Sequence, residues 1–197
     1  MIIRYIVTTF LLFAMSLLSS GQTVVDASDL KEIEGITYLR DQKQPFSGTA
    51  IRWFREGQKQ IESSYLHGKL EGIETTWGGN GYKFMEITYS KGEFNGIYRQ
   101  WYPNGQQELE KIYSNGMMNG PSTHWYENGI KENEGTYLNC RETGMWTFWY
   151  ANGTKMKEGE FREGFEEGKW TFWDEDGKKK KEATYHNGEV KSEKLFN

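Results

Sequence analysis

Glycine returns every 24 residues, at Gly48, Gly72, Gly96, Gly120, Gly144 and Gly168. Numbering each copy from that glycine, position six is Trp53, Trp77, Trp101, Trp125, Trp149 and Trp173. Position ten is again glycine in every copy, Gly57 to Gly177, and position fifteen is Glu62, Glu86, Glu110, Glu134, Glu158 and Glu182. Position eighteen is aromatic throughout: Tyr65, Tyr89, Tyr113, Tyr137, Phe161 and Tyr185. Six in-phase copies without insertion or deletion define a tandem-repeat architecture.

Each copy reads as strand, tight turn, strand, looser turn. The segment from positions two to seven is rich in Thr, Ile, Phe, Tyr and Trp, residues that suit a pleated, half-buried surface. The turn is spelled PNG at 103–105, ENG at 127–129 and ANG at 151–153. Glycine third in a three-residue loop fits a type I turn closed by a left-handed residue. A second glycine at position twenty-one (Gly68, Gly92, Gly116, Gly164, Gly188) reverses the chain again, and Cys140 takes that slot in the fourth copy. The expectation is an all-β fold, one elongated antiparallel meander of about 12 strands built from tandem hairpins. A single hairpin is marginal alone, so stacked copies must share one core. Alternation counted through the loop puts the position-six tryptophans and the position-eighteen aromatics on one face, with the glutamates on the other.

Around the repeats, the chain divides into 1–21, 22–47, 48–191 and 192–197. The first is expected to be a signal peptide: Arg4, an apolar run from Ile6 to Leu18, then Ser19, Ser20 and Gly21. That run is shorter than the roughly 20 residues a membrane span needs. Cleavage after Gly21 would export the mature chain to the periplasm, outer surface or extracellular space. Residues 22–47 read as a polar linker and half-repeat cap with a strand over Ile36 to Arg40. Residues 192–197 read as a tail that closes the far edge. Cys140 is the one cysteine in the sequence, which excludes an intramolecular disulfide. Net charge is −4 with both signs interspersed, which argues against a nucleic-acid partner.

The candidate chemistry is sparse. The glutamate row suggests paired carboxylates, but copies two strands apart put these groups ~10 Å from one another. Catalytic pairs also need unequal environments, and six equivalent positions offer the reverse. His67, His124 and His186 fall in different phases of the repeat, so no convergent metal site is expected. No catalytic residue, metal or cofactor is expected. Two binding candidates stand out. In the last two copies the odd positions become aromatic, Trp146, Phe148, Tyr150, Trp170 and Phe172, a cluster that either meets a ligand or is covered by Leu195 and Phe196. The run Lys178, Lys179, Lys180 and Lys181 is a candidate contact for anionic lipid or polymer, opposed by Asp174, Glu175, Asp176 and Glu182.

The pattern G-x4-W-Y-x-N-G-x4-E-x2-Y-x2-G, clearest at 96–105, 120–129 and 144–153, resembles the variant class of MORN repeats, which in bacteria includes YwqK-type antitoxin proteins. The resemblance implies a β-hairpin array with a binding or scaffolding role and defines no catalytic residues. Its antitoxin branch implies a protein partner, and MORN proteins at large imply a membrane or envelope surface as the alternative. An export signal suits immunity against an extracytoplasmic toxin.

Overall fold

The computed structural model describes residues 23–197; the expected signal peptide lies outside them. In chain order the strands are β1 (Val24–Asp26), β2 (Leu30–Ile33) and β3 (Ile36–Leu39). The six repeats follow: β4 (Gly48–Trp53) and β5 (Lys59–Leu66), then a short β6 (Lys69–Leu70); β7 (Gly72–Trp77) and β8 (Lys83–Ser90); β9 (Glu93–Trp101) and β10 (Gln107–Ser114). Next come β11 (Met117–Trp125) and β12 (Lys131–Leu138), β13 (Arg141–Trp149) and β14 (Lys155–Arg162), and β15 (Phe165–Trp173) and β16 (Lys179–His186). β17 (Glu189–Leu195) ends the array.

The twelve repeat strands lie side by side in sequence order, as a meander should. The sheet nevertheless has fourteen strands in line, because each end gains one. At the far end the expected tail is the outer part of β17, paired antiparallel to β16. At the near end β1 runs parallel to β4, with Val24 opposite Thr49, so the sheet is mixed rather than purely antiparallel. The expected linker is therefore partly strand, and β2 and β3 form a separate two-stranded sheet. That hairpin is tied to the first repeat through Thr37, whose N–H donates to the Gly68 carbonyl at 2.9 Å. Phe46 is buried beside it and meets Tyr65 at 5.7 Å between ring centres.

The loop after the first strand of each repeat has the expected geometry. In the third copy the Tyr102 N–H donates to the Gln106 carbonyl at 2.8 Å, and the Gly105 N–H donates back to the Tyr102 carbonyl at 2.9 Å. Gly105 sits at φ +87°, a conformation that carries no steric penalty only for glycine. The second turn is tighter than expected. Asn115 and Gly116 both have positive φ, 49° and 78°, the two-residue turn whose twist matches its flanking strands.

One irregularity overturns the expected face assignment. Position six pairs with position twelve, as Trp125 does with Lys131, but position five then pairs with fourteen, His124 with Asn133. Glu132 at position thirteen is an extra residue, a β-bulge, and the same shift recurs in all six hairpins. One unpaired residue exchanges the two faces for everything beyond it. The tryptophan row consequently shares its face with the glutamates. The position-eighteen aromatics share the opposite face with positions three and five.

Candidate functional site

The first face carries a repeating ladder along its loop half. Position-twelve lysines reach the position-fifteen glutamates of their own copy: Lys83 meets Glu86 at 2.5 Å, Lys131 meets Glu134 at 2.5 Å and Lys155 meets Glu158 at 2.6 Å, and Lys59 pairs likewise with Glu62. The same ammonium groups sit over the tryptophan of the next copy, Lys83 at 5.2 Å from Trp101 and Lys155 at 5.3 Å from Trp173. In the third copy Gln107 replaces the lysine, and Arg99 takes over Glu110 at 2.7 Å. Each carboxylate of the row is thus held by at least one cation. Phe196 extends this row, lying under Lys179 at 5.4 Å.

Consecutive loops are joined by side chains of the W-Y-x-N-G motif. The hydroxyls of Tyr102, Tyr126 and Tyr150 donate to the carbonyls of Trp125, Trp149 and Trp173 at 2.8, 2.8 and 3.0 Å. The amides of Asn104, Asn128 and Asn152 donate to the carbonyls of Glu127, Ala151 and Glu175 at 2.9, 2.8 and 3.0 Å. These links run from the third copy to the sixth. Phe54 and Gly78 hold the tyrosine slot in the first two copies and have no hydroxyl to offer.

The five aromatic candidates are brought to one region but do not form an open platform. Trp170 is 0% exposed and Trp146 is 4% exposed. Trp170 is enclosed by Phe161, Tyr185 and Phe172, at 5.1, 6.2 and 6.5 Å, and Trp146 by Tyr137 and Phe161, at 5.3 and 5.9 Å. Each indole lies over a glycine of the preceding copy: a Cβ at Gly135 would stand 2.1 Å from Trp146, and one at Gly159 would stand 2.2 Å from Trp170. Indole N–H donors are satisfied by the carbonyls of Thr136 and Glu160. These two residues are core. Tyr150 is a loop link, and Phe148 and Phe172 are half-buried beneath Lys157 and Lys181, at 4.6 and 4.4 Å. The C-terminal residues do not bury this cluster: Phe196 belongs to the tryptophan row on the other face, and Leu195, opposite Lys181 on the aromatic face, is itself 68% exposed.

The four lysines are not brought together either. Lys178 lies in the last loop, where its N–H donates to Asp174. Lys179 stands on the tryptophan face bound to Glu182 at 2.8 Å, Lys180 is the bulge residue, and Lys181 turns to the aromatic face. A continuous basic patch does not form.

A surface that sequence reasoning passed over lies on the turn half of the tryptophan face. Met117, Leu138, Met145 and Phe165 are 45, 55, 58 and 57% exposed. Strand alternation sets all four opposite the buried aromatics, since their neighbours Met118, Tyr137, Trp146 and Glu166 point to the other side. Arg141 and Arg162 flank them, with side chains 65 and 71% exposed. The missing signal was the face assignment itself, because the bulge hides which positions point outward.

No curated protein matches the sequence. The family model described as MORN repeat variant matches residues 94–116, 118–139, 142–163 and 166–187, the copies joined by the tyrosine and asparagine links. Residues 94–187 are thus four consecutive repeats of the MORN repeat variant.

Proposed function

We propose that this protein is an exported, non-catalytic repeat scaffold that binds a protein partner through the turn half of its tryptophan face. The observation that carries this reading is the exposed group Met117, Leu138, Met145 and Phe165 beside Arg141 and Arg162. Methionine, phenylalanine and arginine are the residue types enriched where proteins meet. The division of Lys178–Lys181 between a loop and two faces favours a protein over an anionic membrane as the occupant. Export rests on the apolar N-terminal run, and an antitoxin or immunity role is the form of binding the family resemblance suggests.

Cross-linking of the processed protein in its native envelope tests the reading. The expected result is one stoichiometric protein that is lost when Met145 and Phe165 are both replaced by Glu. Recovery of lipid alone, or a partner retained by that variant, would overturn it.

A further inference from the structure

On the loop half of the face opposite the tryptophans the charges change sign along the array. There the bulge residues Glu108 and Glu132 mark the third and fourth copies. Glu108 is held by a neutral group, the Gln100 amide at 2.7 Å, and Glu132 by the His124 imidazole at 2.5 Å. In the fifth and sixth copies the cations appear. Lys157 stands 4.6 Å from the Phe148 ring centre and 4.9 Å from that of Trp170, with Glu166 at 3.5 Å. Lys181 stands 4.4 Å from Phe172 and has no carboxylate partner among the described residues. At these loop-end positions the anions thus lie in the third and fourth copies and the cations in the fifth and sixth. All four groups sit at adjacent positions of consecutive repeats, so they follow each other at ~10 Å, two strand widths.

Even spacing with the sign reversed at the midpoint is self-complementary. We propose that this face binds a second copy of the same chain, the two arrays running in opposite directions about a two-fold axis. The axis lies along the strands between the fourth and fifth repeats. Glu132 then meets the partner's Lys157 and Glu108 meets the partner's Lys181, and symmetry repeats both pairs. A two-fold contact uses the same patch on both chains, so four ion pairs arise from four residues. Leu109, Phe148 and Phe172, half-buried on the same face, supply apolar area between them. The docking of another protein on the tryptophan face is left free, and this proposal does not depend on it.

Sedimentation of the processed protein across the micromolar range tests the idea. The expected result is a dimer that dissociates as salt rises. E108K/E132K and K157E/K181E should each weaken self-association by about tenfold or more, while an equimolar mixture of the two should form a heterodimer. Lys157 packs on the buried Trp170, so the single Lys181→Glu change, checked by circular dichroism, carries the basic arm if the double variant does not fold. A monomeric wild type at every concentration would overturn the proposal. So would dimers that survive either charge reversal, or variants that fail to recombine.

Discussion

The hydroxyl of Tyr126 donates to the backbone carbonyl of Trp149, 2.8 Å away and one repeat further along the array. The link joins hairpins at their loops, where no strand ladder runs between them. Burial is the main cause of the raised Tyr126 pKa, with Glu132 adding to it, so the phenol stays a donor at neutral pH. Tyr126→Phe keeps the ring and removes only this donor, leaving the Trp149 carbonyl without it. The expected cost is about 1 kcal/mol, a fall in melting temperature of about 2–4 °C for a chain of this size. Calorimetry on the two proteins checks it, and an unchanged melting temperature would show that the loop links add nothing.

Cys140 occupies a turn position that the other copies give to glycine. Its φ is +64°, following Asn139 at +50°, a region where a side chain crowds the following carbonyl at a cost of about 1–2 kcal/mol. Its backbone N–H is still needed, donating to the Met118 carbonyl at 2.9 Å. Cys140→Gly retains that bond and removes the strain, against a smaller loss from the greater freedom of glycine in the unfolded chain. A gain of about 0.5–1 kcal/mol is expected, read as a higher denaturation midpoint with an unchanged slope. A lower midpoint would mean that the thiol, which accepts from the Met118 N–H at 3.2 Å, outweighs the backbone strain.

The repeat, its strand count per copy and the glycine-closed loop were legible because each rests on a residue type that recurs at a fixed position. The faces were not, because the bulge that exchanges them falls on Gln60, Phe84, Glu108, Glu132, Met156 and Lys180 in turn, six residues with no chemistry in common. A signal for it did exist. Trp146 and Trp170 appear at position three only where position sixteen of the preceding copy is glycine, Gly135 and Gly159. Where that slot is Ser63, the following copy offers Glu74 instead, accepting from the serine hydroxyl at 2.5 Å. Reading that pairing as contact would have moved the two indoles into the core and the search for a surface to the opposite side. The parallel strand β1 left no such trace, since Val24 and Val25 are too short an apolar run to be told from a linker.

Glu182 differs from the rest of its row in having two cations. Lys179 binds it at 2.8 Å from position twelve, and Lys169 at 2.9 Å from position two, where earlier copies carry Thr49, Ile73, Ile97, Pro121 and Met145. The hydrogen bond from Lys179, then that from Lys169, hold its carboxyl at about 2, below the ordinary 4.5. Because the folded-state value is depressed, the ionised form is the one the fold favours. Its contribution is complete above the ordinary carboxylate range and fades as pH falls from about 4.5 through about 2. A carboxyl-carbon NMR titration should place the Glu182 midpoint near the lower limit, and Lys169→Gln should move it upward while Lys179 remains. If Glu182 titrates at its ordinary value in the unmodified protein, the lysines are solvated rather than bound, and the charge ladder along the tryptophan face is not formed at this end of the array.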